Sequence, residues 1–291
     1  MGKYERGEAE IFEKNIDSLL NEKVVEDLDA IKMAEHIKKS SIKKIKKAVW
    51  KGRDYSGIGD EEITYEDDSI ISYEVKKLEK GRGTAANPGQ DSLTEYGLFK
   101  DAKSWSSFRE DNHHDQFVIS VFNKFLISKN KPIREFKTGI SRSNFADSYK
   151  NTKDFIPFQE EIVDFDRKER LAYIEYLMKQ KQDPESIKIF VMNFLFGNHT
   201  KETYNKKILE SPFPENYKVF YLVAGKIVEE KIPSGINKMS FFIIHPKDTT
   251  NVIICGKDKD EKTINIFRIA INWKNKFQGI QTPSLNVFYE Y

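Results

Sequence analysis

Glu74 and Lys76 stand two residues apart in the run Ser69 to Leu78, and Asp60 lies just ahead of a shorter strand-like run, Glu61 to Tyr65. Side chains alternate along a strand, so Glu74 and Lys76 project from one face while Tyr73, Val75 and Lys77 take the other. Glu66-Asp67-Asp68 between the runs suits a tight turn, and the resulting hairpin brings Asp60 beside Glu74. Two carboxylates at one end of a sheet are hard oxygen ligands suited to Mg2+. A lysine beside them can orient a water, help deprotonate it, or stabilise charge developing on a phosphate. Together these are the parts that phosphodiester hydrolysis needs. Asp60 is followed by Glu61 and Glu62, so the acid that joins Glu74 is one of these three, with Asp54 a fourth candidate.

Other constellations have less behind them. Asp101-Ala102-Lys103 repeats the acid-x-lysine spacing, but it follows a helical stretch and Gly97 and has no strand around it. Asp111-Asn112-His113-His114-Asp115 resembles the residue usage of HNH nucleases, yet no second histidine stands at the proper spacing and no cysteines accompany it to hold zinc. His245 reads as a strand-end histidine. Gly57-Ile58-Gly59 lacks the helix and third glycine of a dinucleotide loop, and there is no Walker motif. The one cysteine, Cys255, lies in the apolar run Val252-Ile253-Ile254-Cys255, which suits a buried structural thiol and rules out an intrachain disulfide.

The elements that must position the carboxylates follow from periodicity. Ala9, Phe12, Ile16, Leu19 and Leu20 recur at helical spacing and predict a helix over 4–21. A second helix over 24–37 runs into the basic segment Lys38 to Lys51, which is either a solvated lysine face or a phosphate-contacting surface. Asn87-Pro88 suits an N-cap and first helical position, opening a helix toward Phe99. Phe117 to Ile127 is apolar and β-branched enough for a buried strand, with a helix as the alternative. Residues 129–160, holding Pro132, Gly139 and Pro157, read as loop-rich, and Arg167 to Lys181 as a helix. From Tyr217 onward strands dominate: Val219 to Val223, Phe241 to Ile244, Val252 to Cys255 and Ile264 to Trp273. The fold class expected is α/β (α+β), a central mixed sheet flanked by helices, with a strand-rich C-terminal lobe.

Composition fits a packed globular protein: 38% hydrophobic, 13% aromatic and 32% charged residues, balanced to a net charge of +2. So small a net charge gives no overall field for a polyanion, and nucleic-acid affinity must come from local basic patches. Met1 to Glu10 lacks the apolar core of a signal peptide, and Arg6 stands where myristoylation wants Ser or Thr. With no apolar run of spanning length and a lone cysteine, the expectation is a cytoplasmic protein away from membranes.

Gly59-Asp60 followed on the next strand by Glu74-Val75-Lys76 resembles the PD-(D/E)xK motif of the restriction-endonuclease-like superfamily. Lys51-Gly52-Arg53 before the motif, and a glycine-rich basic loop with Asn87 and Gln90 after it, resemble several type II restriction enzymes. Gly59 replaces the family's common proline, and the clear resemblance covers residues 50–100. It implies a restriction-endonuclease-like core over 1–150, with 151–291 supplying DNA recognition, a dimer surface, or both. It further implies Mg2+ bound by Asp60 and Glu74, water assisted by Lys76, and site-specific hydrolysis of double-stranded DNA by a homodimer. Some members add an acid from the first helix, a place Glu10 or Glu8 could fill; Glu62 is another possible ligand. DNA contacts are expected from Lys43, Lys47, Lys51, Arg53, Arg82, Thr84, Asn87 and Gln90. The competing expectation is a non-catalytic nucleic-acid-binding or assembly protein, which the basic tract 38–53 and Trp273 between lysines would serve equally well.

Overall fold

Phe12, Ile16 and Leu20 recur every four residues, and in the computed structural model they form the buried stripe of α1, Arg6–Leu20. The structure describes residues 6–52, 59–78, 84–86, 89–150, 152–195, 217–233, 235–272, 280 and 284–291. α2, Leu28–Ser40, buries Ala30, Met33, Ala34 and Ile37 at the same period. Its start is fixed by Asp27, whose carboxylate accepts from the amides of Asp29 and Ala30 at 3.0 and 3.1 Å.

Asp27→Ala removes both bonds and should lower stability by about 1 kcal/mol in urea unfolding. Burial pushes the Asp27 carboxyl up, but the Ala30 amide, Asn15, the Asp29 amide and Lys77 outweigh it and hold it below its ordinary value. A depressed carboxyl stabilises the fold above its unfolded pKa and loses that contribution as pH falls through the folded one. The gap between wild type and variant should therefore narrow in acid. A gap independent of pH would mean that the charge of Asp27 plays no part.

β1, Ile45–Trp50, pairs antiparallel with β2, Glu61–Tyr65, and β2 antiparallel with β3, Ile70–Leu78. β3 then runs parallel to β5, Tyr217–Val223, and β5 antiparallel to β6, Lys226–Glu230. This sheet is mixed, in the order β1-β2-β3-β5-β6, with β3 at its centre. α1 and α2 cover one face, closing a core that holds Phe12, Ile16, Met33, Ile63, Tyr73, Val75 and Phe220.

A second, antiparallel sheet has the order β4-β10-β9-β8-β7. Its strands are β4 (Thr84–Ala86), β7 (Ser240–Ile244), β8 (Asn251–Lys257), β9 (Thr263–Asn272) and β10 (Ser284–Tyr289). A larger core joins it to α8 (Pro184–Leu195), the second half of α7 (Ile156–Met178) and the face of β5 that carries Tyr217, Val219 and Tyr221. A third core, rich in phenylalanine, packs α5 (His114–Ser128) against α6 (Gly139–Tyr149) and the start of α7. Two short helices, α3 (Ser92–Glu95) and α4 (Trp105–Asp111), lie between β4 and α5. The architecture is thus α/β, a central mixed sheet flanked by helices with a strand-rich C-terminal region. The β3–β5 and β4–β10 ladders both join residues before 150 to residues after it.

Several elements differ from the sequence expectation. The buried strand expected over Phe117 to Ile127 is part of α5. Its buried residues Val118, Val121, Phe122 and Phe125 follow a helix's spacing, and β-branched content did not override that period. The loop-rich stretch 129–160 contains α6 and the start of α7, whose Pro157 sits in the first turn, where its missing N–H costs nothing. The helix expected over 167–181 therefore begins at Ile156. The helix expected from Asn87-Pro88 shrinks to α3; residues 87 and 88 lie outside the described residues, and Gly97 at φ 72° follows its end. β1 occupies part of the basic segment, and α8, β6 and β10 had not been expected.

Candidate active site

The turn-and-strand signals of residues 59–78 produce the hairpin that positions the motif. Glu61 lies opposite Tyr73 and Glu62 opposite Ser72, so Asp60 falls level with the start of the Glu74-Val75-Lys76 triplet. Gly59 makes the approach possible. Its φ of +75° is closed to the proline common at this place in the resembled family, and a Cβ there would lie 2.7 Å from the carbonyl oxygen of Tyr73. Asp60 is pinned three ways. Its amide donates to Tyr73 O at 2.8 Å, its carbonyl accepts from Lys51 N at 2.7 Å, and its Oδ2 accepts from Val75 N at 3.0 Å. The carboxylate is thus bonded to the backbone between Glu74 and Lys76.

Glu74 is 7% exposed, and Lys76 Nζ lies 2.8 Å from its Oε1. Both side chains share the face of β3 that continues into Val219 and Tyr221 of β5, whereas Tyr73 and Val75 enter the α1–α2 core. α1 delivers a further acid. Glu13 accepts from Trp50 Nε1 at 3.1 Å, and Asp17 beside it accepts from Trp50 N at 3.1 Å.

The electrostatics bind these groups into one cluster. Burial pushes the Asp60 carboxyl well above its ordinary value, and the charges of Glu74 and Glu13 push it further, against Lys76 and the Val75 amide. Burial also raises Glu13; Trp50 opposes, Glu74 adds to the rise, and Lys76 opposes again. Burial works to lower Lys76, but the charge and hydrogen bond of Glu74, then the charge of Asp60, outweigh it, and the ammonium is held protonated. Three carboxylates therefore lie within electrostatic reach of one half-buried ammonium.

The two glutamates after Asp60 take other places. Glu61 is fully buried on the α1 side; neither carboxylate oxygen has a hydrogen-bond partner, and its carboxyl is pushed up to about 9 by burial and then by Asp17, Asp60 and Glu13. Glu62 lies on the opposite face, 3.9 Å from Lys51 Nζ. Glu10, offered by the sequence as the α1 acid, is ion-paired to Lys14 at 2.7 Å, and it is Glu13 that reaches the cluster. A signal for it existed: Glu13 directly follows Phe12 of the buried stripe and stands four residues before Asp17. Tyr217 was also missed. It is buried at the start of β5, with its hydroxyl raised by burial and then by Glu74.

The expected DNA contacts divide. Lys43 is 2.6 Å from Asp67 and donates to Ser69 Oγ at 2.9 Å, while Lys44 and Lys46 pair with Glu66 and Asp68. Much of the lysine face is thus neutralised by the hairpin's own turn. Lys47 is exposed. Lys51 faces Glu62, Thr84 lies opposite Phe288 in β4, and Gln90 donates to Ser106 Oγ at 2.5 Å. Arg53, Arg82 and Asn87, with Asp54 and Trp273, lie outside the described residues. Asp101-Ala102-Lys103 is an exposed turn, with Asp101 at φ 58° and Lys103 2.6 Å from Asp111.

Among the described residues one group of three has ligand atoms close enough together to hold a metal: His114, Asp166 and Glu169, all buried, with those atoms within 4.8 Å of one another. His114 Nδ1 contacts a Glu169 oxygen, and Arg170 Nε donates to Asp166 at 2.9 Å. Arg109 also feels the charge of both carboxylates, so this group already has cationic partners. Cys255 is buried, and among the described residues no helix is long and apolar enough to cross a membrane. No family model, curated protein or solved structure matches the chain.

Proposed function

We propose that the chain is a Mg2+-dependent endonuclease of the type II restriction kind, hydrolysing phosphodiester bonds of double-stranded DNA with a restriction-endonuclease-like core. The observation that carries this is the bond from Val75 N to Asp60 Oδ2, which sets that carboxylate between Glu74 and Lys76. Asp60 and Glu74 are hard oxygen ligands of the kind Mg2+ takes, and each adds to the other's unfavourable charge until a cation arrives. Asp60 and Glu74 would hold Mg2+, with Glu13 near enough to add its charge to the site. Bound there, the ion would supply positive charge to a phosphoryl oxygen and acidify a water.

The chain's own groups do the rest. Glu74 holds the Lys76 ammonium at 2.8 Å, where it can donate to the attacking water and stabilise charge gathering on the phosphate. The Val75 amide keeps Asp60 from rotating, and Trp50 does the same for Glu13. A palindromic site cut on both strands would be met most simply by a two-fold homodimer.

Incubation with mixed-sequence DNA should give discrete fragments with Mg2+ and none with EDTA. A shifted but uncut duplex under every divalent metal would instead establish a non-catalytic DNA-binding protein. Within this assay Glu13→Gln is expected to need several-fold more Mg2+ and to cut roughly a hundredfold more slowly, while Glu10→Gln stays near wild type. Equal rates in both variants would remove Glu13 from the site.

A further inference from the structure

Away from the hairpin, two arginines from different helices face one cavity of about 720 Å3: Arg109 near the end of α4 and Arg142 in the first turn of α6. Arg142 is 9% exposed. Its Nη2 donates to Asp115 Oδ2 at 2.6 Å, and its Nε has no hydrogen-bond partner. Burial pushes the Arg109 guanidinium down; Glu169, Asp166 and Asp115 oppose this, and the charge of Arg142 adds to it. The two guanidiniums therefore feel each other's charge across the cavity, with Asp115 the anion that both already feel and that an incoming anion would replace.

The helix end works in the same direction. In the capping box of α6, Thr138 Oγ1 accepts from Ser141 N at 3.1 Å and Ser141 Oγ accepts from Thr138 N at 3.2 Å. Gly139 and Ile140 line the cavity, and helix geometry gives their amides no acceptor. The positive end of an 11-residue helix thus meets the two guanidiniums.

We propose that this cavity is a phosphate-binding site formed by Arg109, Arg142 and the N-terminus of α6, and that its ligand, on the endonuclease reading, is a DNA backbone phosphate held outside the cutting centre. The volume is far beyond one phosphate and lies in the range of sites for larger molecules, so the group arrives attached to a larger body. A neighbouring cavity of about 320 Å3 shares Arg109 and Asp115 and reaches Gln90, which lies in the segment that follows the hairpin. The polar groove therefore extends past Arg109 and Asp115 to Ser106 and Gln90. Asp115 holds Arg142 in the free protein and gives way when phosphate binds.

The test uses the full chain with EDTA present, so that no cutting occurs. Inorganic phosphate is titrated by thermal shift and a fluorescent duplex by anisotropy, on wild type, Arg142→Gln and Asp115→Asn. Both ligands should bind roughly tenfold more weakly to Arg142→Gln, the loss of one charge-assisted contact. Both should bind several-fold more tightly to Asp115→Asn, because Arg142 is released and a repelling carboxylate is gone. A purely structural ion pair would not give opposite signs. Asp115→Asn alone decides the matter if Arg142→Gln does not fold, since Asp115 is half exposed. No tightening of either ligand by Asp115→Asn overturns the site. Inorganic phosphate responding while the duplex does not overturns DNA as the source and assigns the site to a small phosphorylated molecule. Neither titration needs cleavage, so an inactive wild type would defeat the endonuclease reading and leave the pocket's phosphate chemistry still measurable.

Discussion

Glu74→Ala and Lys76→Ala are each expected to slow DNA cleavage by about three orders of magnitude or more while leaving duplex affinity within a few-fold. Affinity for DNA comes from many phosphate contacts spread over a surface, whereas the chemistry comes from the few groups that touch the reacting phosphate. The two side chains also hold each other: Lys76 Nζ is 2.8 Å from Glu74 Oε1, and Glu74 is nearly buried. Alanine at 74 therefore leaves a half-buried ammonium without its ion-pair partner beside Asp60, and some of the lost activity would be lost folding. Glu74→Gln separates the two effects, since it keeps the side chain's shape and a hydrogen-bonding oxygen but removes the charge that a cation needs. It should melt close to wild type and still fail to cut, with single-turnover rates measured across a Mg2+ series. Wild-type cutting by Glu74→Gln or by Lys76→Met would displace the centre from this hairpin.

The largest stability loss should follow Arg170→Ala. Arg170 Nε donates to Asp166 Oδ2 at 2.9 Å and its Nη1 to the carbonyl of Ile271 at 2.8 Å, which ties α7 to β9. Asp166 is fully buried and Arg170 nearly so. Removing one member of a buried ion pair costs roughly 3–5 kcal/mol, because the remaining charge stays in a medium of low polarity. For a chain of this size that is a fall in Tm on the order of 10 °C. The double variant Asp166→Asn/Arg170→Met should recover much of the loss, since it removes both charges and keeps the volume. Calorimetry of the three proteins decides this; a single-variant loss below about 1 kcal/mol would show that the pair contributes little.

The parts of the fold that sequence revealed are those with short-range signatures. The β2–β3 hairpin could be read because Ile63, Tyr65, Tyr73 and Val75 alternate around an acidic turn, and the same alternation placed Glu74 and Lys76 on one face. α5 could have been read from Val118, Val121, Phe122 and Phe125, but its β-branched content competed with its period. Glu13 was harder to find. A helix carrying Glu8, Glu10 and Glu13 offers several acids, and which one meets β3 depends on how α1 rotates over the sheet, a tertiary property. Tyr217 has no local signal at all, because its place beside Glu74 follows from a parallel ladder with a distant strand. Lys43 shows the opposite limit. Its charge is plain in the sequence, but its commitment to Asp67 appears only when the hairpin closes.

That parallel ladder also sets an order of events. β3 ends at Leu78 and its partner β5 begins at Tyr217, so their pairing closes a loop of roughly 140 residues, an entropic cost that local contacts must help to offset. During synthesis at about 5–20 residues per second, β1, β2 and β3 leave the ribosome many seconds before β5 does. Through that interval one side of β3 has no neighbour to accept its hydrogen bonds, and the face bearing Glu74 and Lys76 has no wall of Val219 and Tyr221 beside it. The bonds that set Asp60, Glu74, Lys76 and Glu13 all lie within residues 13–76 and can form early, whereas the β5 wall beside Glu74 and Lys76 arrives only with the last third of the chain.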